Sequence, residues 1–223
     1  EIGVRLVGSE MCIRDSYKYL VTIIFIFFGE QIAAENRIII NFESPPSLNQ
    51  EAKLIQNIKN YNSVQSIQSY LTQQNWIENF LIKSSFFGKF HQIFIQSKKP
   101  KYVWKDKFYI DSQVSTFAYD GGYPDLIRLD MPLEYLTFWI KAENQYITLF
   151  SDLSLTIRSV GFQPALGWYL LTSDALRVNL VDDLSNDTYQ KLSLTLKYMF
   201  ENNLTPSIID LRYKAGAALN YGK

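Results

Sequence analysis

The chain has 223 residues with 22 basic and 22 acidic side chains, so its formal net charge at pH 7 is zero. This balance argues against a dedicated nucleic-acid-binding protein, which normally carries a basic patch. A single cysteine, Cys12, excludes an intrachain disulfide, and a single histidine, His91, excludes most zinc sites. The aromatic content of 15% suits β-rich structure, and the length allows one large or two small domains.

The first 35 residues stand apart from the rest of the chain. The run VGSEMCIRDS within residues 1–16 resembles a translated sequencing-adapter fragment, so we expect these residues to be an artefact. The apolar run Tyr19–Gly29 has eleven residues, fewer than the roughly 20 that span a bilayer. We interpret residues 17–35 as the remnant of a transmembrane anchor or as a signal-like segment, with a buried core strand as the third alternative. Lys18, before the apolar run, favours a cytoplasmic start and an exported remainder.

The next stretch predicts the element order β-α-α-β-β. Arg37–Phe42 is typical of a strand, and Ser47 with Gln50 forms a capping-box pattern that opens a helix. Apolar residues at helical spacing then predict a second short helix from Val64 to near Trp76. The two closing strands are predicted at Ile77–Phe86 and Phe90–Ile95, with a turn at Gly88-Lys89.

After Trp104 the pattern changes to short strands with frequent turns, which predicts an antiparallel β domain with flanking helices. Pro132 opens one helix, and Asp187 with Gln190 is expected to cap another. The helix that begins near Asp187 has a predicted apolar face of Tyr189, Leu192, Leu196, Met199 and Phe200. Trp76, Trp104 and Trp168 lie at element junctions and are expected to be largely buried.

The stretch Ile208–Tyr221 alternates apolar and polar residues, as a half-buried strand does. Gly216 interrupts the alternation and predicts a bulge or a tight turn. Two interpretations stay open: a buried closing strand, or a sheet edge that accepts a strand from a partner protein.

The aspartates between residues 106 and 130 are the candidates for carboxylate catalysis, and turn formation is the alternative that their loop positions favour. They are Asp106, Asp111, Asp120, Asp125 and Asp130. His91 alternates with Ile93 and Ile95, which is typical of a packed strand histidine. We therefore expect no catalytic residue, no cofactor and no metal site.

Several motifs resemble the extracytoplasmic part of the FtsQ/DivIB family of bacterial cell-division proteins, in one collinear order over about residues 38–221. These motifs are Asp210-Leu-Arg-Tyr213 followed by Gly216-Ala-Ala, the Gln73–Ile77 step from helix to strand, the Lys98–Trp104 segment, Phe108–Asp111, Leu126–Pro132, and the hairpin that contains Trp168. The resemblance implies an α+β fold with a POTRA domain at residues 37–104 and an FtsQ-type β domain at residues 105–223.

The resemblance also implies a function without catalysis. Members of the family are membrane-anchored periplasmic scaffolds at the division septum, with one pass through the inner membrane. Their partners are FtsB- and FtsL-type division proteins at the C-terminal strand and other division proteins at the POTRA domain. The implied partner-binding residues are Arg212, Tyr213, Ala215, Gly216, Ala217, Leu219 and Tyr221. The alternatives are a POTRA-containing secretion or assembly factor and a secreted β-sandwich hydrolase.

Overall fold

The computed structural model describes residues 37–85 and 90–222. The predictions for residues 1–16, for residues 17–35 and for the turn at Gly88-Lys89 lie outside these ranges. The elements are, in order, β1 Arg37–Ser44, α1 Leu48–Ile58, α2 Val64–Thr72, β2 Ile77–Ser84, β3 Phe90–Ser97, β4 Pro100–Trp104, β5 Phe108–Asp111, β6 Thr116–Ala118, β7 Ile127–Asp130, α3 Leu133–Ser151, β8 Ile157–Gln163, β9 Gly167–Thr172, β10 Arg177–Asn179, α4 Asn186–Glu201, β11 Ile208–Asp210 and β12 Ala218–Asn220.

The first unit has the predicted β-α-α-β-β order and a three-stranded sheet with the strand order β1-β3-β2. The predicted capping box opens α1: the Gln50 amide donates to Ser47 Oγ at 3.1 Å, and the Ser47 amide donates to Gln50 Oε1 at 3.4 Å. The apolar faces of α1 and α2 pack with the strand residues Ile93 and Ile95. The predicted element order and the predicted capping box of this unit are therefore confirmed.

The second sheet has nine strands in the order β12-β11-β10-β9-β8-β7-β4-β5-β6. Together with the first unit it confirms the α+β class, but the sheet is mixed rather than wholly antiparallel. The pairs β4–β7, β7–β8 and β10–β11 are parallel. The flanking helices explain two of them, because α3 connects β7 to β8 and α4 connects β10 to β11, and a helical crossover returns the chain in the same direction.

The core of the second sheet lies between its inner face and the two long helices. Trp139, Tyr146 and Phe150 of α3 and Leu192 and Leu196 of α4 are buried there. Pro132 precedes the first residue of α3, as predicted. The cap of α4 differs from the prediction: Ser185 is the N-cap and accepts a hydrogen bond from the Thr188 amide, so Asp187 lies inside the first turn.

The tryptophans occupy the expected junctions. Trp76 and Trp168 are buried in the first and second core, respectively. Trp104 is half-buried and not largely buried as expected, and its indole Nε1 donates to the Met131 carbonyl at 2.7 Å. Within residues 37–85 and 90–222, no helix combines the length and the apolarity that crossing a bilayer requires.

The two sheets share one hydrophobic core at their junction. Val103, Tyr109 and Phe117, from three strands of the second sheet, belong to the cluster that α1 and α2 form with the first sheet. Asp120 ties the same junction by polar contacts: it accepts hydrogen bonds from Ser47 Oγ and, at 2.8 Å, from the Tyr109 hydroxyl. The orientation of α1 relative to the second sheet is therefore fixed by both apolar and polar contacts.

Candidate functional site

The predicted C-terminal strand is a hairpin at the end of the large sheet. In β11 and β12, Ile209 lies opposite Leu219, and the flanking residues pair in the same antiparallel register. The amide of Leu211 donates to the Asn179 carbonyl at 2.8 Å, after which the chain turns. Gly216 closes the turn with φ of +79°, a conformation that L-residues rarely adopt, so the predicted interruption at this glycine is confirmed. The two halves of the alternating stretch pair with each other, so they form two strands and not one.

Strand β12 is the outermost strand of the nine and leaves part of its backbone unpaired. Ser207 and Leu211 both bond to β10: the Ser207 carbonyl accepts from the Arg177 amide at 3.0 Å, and the Leu211 amide donates to the Asn179 carbonyl. Ile209 lies midway between them, so its main chain also faces β10. In regular pairing, alternate residues of a strand face opposite neighbours, so Ala218 and Asn220 direct their N–H and C=O groups toward β11. The N–H and C=O of Leu219 therefore point away from the sheet, where another strand can bind them.

Helix α4 holds the turn of the hairpin in place. The Lys191 ammonium donates to the Leu211 carbonyl at 2.8 Å and also to the Tyr213 carbonyl. Arg212 Nε donates to both carboxylate oxygens of Asp210, at 2.9 and 3.1 Å. Hydrogen bonds from this guanidinium hold the pKa of Asp210 below its ordinary value, and the Asp210 carboxylate in turn raises the pKa of Arg212. The edge is thus presented by a hairpin with a fixed turn.

The other end of β12 is fixed by Ser207. Its amide donates to the Asn220 carbonyl at 2.8 Å, and its hydroxyl donates to the Gly222 carbonyl at 2.6 Å. Sequence reasoning missed both Ser207 and Lys191. Neither residue belongs to a recognisable motif, and each acts through a contact with a segment distant in sequence.

The seven residues expected to bind a partner divide into two groups. Arg212, Tyr213, Ala215 and Gly216 lie in the exposed turn, whereas Ala217, Leu219 and Tyr221 lie in or next to β12. Ala217 and Leu219 are half-buried against the core. Tyr213 is 59% exposed and Tyr221 is 56% exposed, so both aromatic residues are accessible to another protein.

Four of the five candidate catalytic carboxylates have separate structural contacts, and the fifth, Asp125, is exposed in a turn. Asp106 pairs with Arg128, and Asp111 Oδ1 accepts hydrogen bonds from two amides of its own turn, at 2.9 and 2.8 Å. Asp120 ties the junction of the two sheets, and Asp130 accepts a hydrogen bond from the Tyr169 hydroxyl at 2.8 Å. Asp106, Asp111 and Asp120 lie in or beside turns and loops, as the turn interpretation predicts, whereas Asp130 is the last residue of strand β7.

His91 is buried on β3 in the same alternation as Ile93 and Ile95, as predicted. Its Nδ1 lies 2.9 Å from the Ser84 hydroxyl on the neighbouring strand, directly opposite in register. Among residues 37–85 and 90–222, no three metal-ligating side chains come together.

The comparisons with known proteins reveal one distant similarity. Over 166 residues, 71% of this chain, the sequence is 20% identical to the cell division protein FtsQ of Aliivibrio fischeri (strain ATCC 700601 / ES114). The matched region spans 62% of the length of that protein. No protein-family profile matches the chain.

Proposed function

We propose that this chain is a non-catalytic scaffold of the bacterial division machinery and that it binds a partner protein by strand addition at β12. The observation that carries the proposal is the outward-facing backbone of Leu219, on a hairpin that Lys191 and Ser207 hold in place. The distant similarity to a cell division protein supports a role in cell division.

The proposal extends to location and partners. The apolar run Tyr19–Gly29 is the remnant of an anchor in the bacterial inner membrane, and the part of the chain that follows it works in the periplasm at the division septum. The partners at β12 are FtsB- and FtsL-type proteins, and the POTRA-like unit at residues 37–104 recruits other division proteins. The β domain that carries the edge is assigned to residues 105–223, and its sheet also includes β4, the last strand before that boundary.

Strand addition explains why the edge needs few specific side chains. Main-chain hydrogen bonds provide most of the affinity in this mode of recognition, and side chains on alternate positions provide specificity. Tyr213 and Tyr221 supply large aromatic contact areas at the two ends of the unpaired backbone. Arg212 is partly exposed beside the turn and offers a positive charge to an acidic group of the partner.

A pair of proline substitutions tests the backbone contribution. Ala217 shares its position in the alternation with Leu219, so Ala217→Pro is expected to remove a donor on the outer side of β12. Ala218 directs its N–H toward β11, so Ala218→Pro is expected to break a bond inside the hairpin and to destabilise it. Ala217→Pro should therefore weaken partner binding at nearly unchanged stability, whereas Ala218→Pro should lower both.

The assay is a pull-down with purified extracytoplasmic segments of FtsB- and FtsL-type proteins, alongside thermal unfolding of each variant. Tyr213→Ala should remove about 2 kcal/mol of binding free energy, roughly thirtyfold in affinity, because exposed interface tyrosines are frequent anchors. Undiminished binding by Ala217→Pro and by Tyr213→Ala, with both variants folded, would place the interface elsewhere.

A further inference from the structure

An apolar groove lies beside the end of β12, on the same side of the sheet as the helices. Its volume is about 580 Å³. Its apolar lining includes Leu176, Met199, Phe200, Leu204 and Tyr221. The groove forms where the end of α4, the turn between β9 and β10, and the end of β12 meet.

Phe200 in this groove departs from its sequence pattern. The helical spacing of apolar residues in α4 assigns Phe200 to the apolar face, together with Leu196 and Met199. Met199 is buried there, but Phe200 remains 45% exposed. Tyr221 is exposed across the same groove. Two exposed aromatic side chains therefore line one groove, where a side chain of a second molecule can contact both.

The groove is continuous with the outer edge of β12. Leu219 directs its main chain outward, and Tyr221, two residues later, lines the groove. Two residues of strand correspond to about 7 Å, so a segment paired along β12 reaches the groove within one further residue or two. The hydrogen bonds of Ser207 hold Tyr221 and Gly222 at this position.

Asp174 adds a charge to the apolar surface. It lies in the turn between β9 and β10, is exposed, and lines the groove. A carboxylate at the rim of an apolar groove is complementary to a segment that combines a bulky apolar side chain with a lysine or arginine.

We propose that the partner segment continues past Tyr221 and inserts an aliphatic or aromatic side chain into this groove, with a basic residue of the partner facing Asp174. This inference rests on the proposed function, because it places the same partner on the same edge. The groove would then act as an anchor that fixes the register of the added strand, since a backbone ladder by itself specifies register weakly.

Two matched pairs of variants test the groove with the full chain and the FtsB-type segment used in the pull-down. Phe200→Glu should weaken binding about tenfold, because it places a carboxylate at an apolar contact. Tyr198→Glu is the control, since Tyr198 is 58% exposed on the same helix but lies outside the groove lining.

Asp174→Lys should slow association several-fold at low salt, whereas the same change at the exposed Asp182, outside the lining, should not.

Hydrogen exchange of the complex separates this inference from the proposed function. Protection of residues 217–221 together with residues 174–176 and 203–207 is the expected result. Protection of residues 217–221 alone, with Phe200→Glu binding as the wild type does, would overturn the groove and leave strand addition intact. Absence of binding, or of protection at 217–221, would overturn the proposed function and the groove inference with it.

Discussion

Replacing Trp168 with alanine is expected to destabilise the large sheet by about 3–5 kcal/mol. The side chain is 2% exposed and lies in the core between β9 and the helices. Its ring centroid lies 5.1 Å from that of Phe162 and 6.3 Å from that of Tyr135. The cost combines the lost apolar burial and the cavity left behind with these aromatic contacts, which contribute about 0.5–1.5 kcal/mol each.

The assay is urea unfolding followed by circular dichroism, with Leu166→Ala as the matched control. Leu166 lies two residues earlier in the same hairpin and is 50% exposed, so its truncation should cost less than about 1 kcal/mol. The double variant Trp168→Ala with Phe162→Ala should be less destabilised than the sum of the two single changes, since the two rings are in contact.

A loss below about 1 kcal/mol for Trp168→Ala would refute the reasoning, because no fully buried tryptophan is removed from a packed core so cheaply. A loss equal to that of Leu166→Ala would also show that the hairpin does not pack as described. An unchanged slope of the unfolding free energy with urea would show that both proteins expose the same surface on unfolding, so that the shift in midpoint reports stability.

Two further predictions concern charged side chains. Asp120→Ala should lower the free energy of unfolding by about 1–3 kcal/mol, because it leaves the buried Tyr109 hydroxyl without its acceptor. Hydrogen exchange should show faster exchange in α1. The control Asp125→Ala, at an exposed residue nearby, should be within about 0.5 kcal/mol of wild type. Because Arg212 lowers the pKa of Asp210, the stability contributed by this pair is complete above the unfolded-state pKa of about 3.9 and is lost as the pH falls through the lower folded-state pKa. Asp210→Asn should therefore be less stable than wild type at pH 7, and the two unfolding free energies should converge on acidification; a constant difference down to acidic pH would contradict the pairing.

The features predictable from sequence are those fixed by residues close together in the chain. The capping box of Ser47 and Gln50 joins residues three positions apart, and the buried alternation of His91, Ile93 and Ile95 follows from the two-residue period of a strand. Gly216 was identifiable as an interruption because its positive φ suits glycine best.

The features that escaped prediction depend on pairing across long separations. Alternation in residues 208–221 is the same for one strand and for two strands that pair with each other. The antiparallel pairing of Ile209 with Leu219 shows that there are two strands. The parallel pairs β7–β8 and β10–β11 depend on how the helices cross over the sheet, which short strand patterns do not encode. The cap at Ser185 was missed because Asp187 and Gln190 fit the same local motif two residues later.

The contribution of Tyr109 and Phe117 to the first hydrophobic core has a mechanical consequence. A chain cut after Trp104 would leave the first unit without these two rings, and its helices would cover an open cavity. In the intact chain, rotating one sheet against the other would have to pull the rings out of their pocket. Tension applied at β12 is therefore expected to pass through these packed side chains to the first unit.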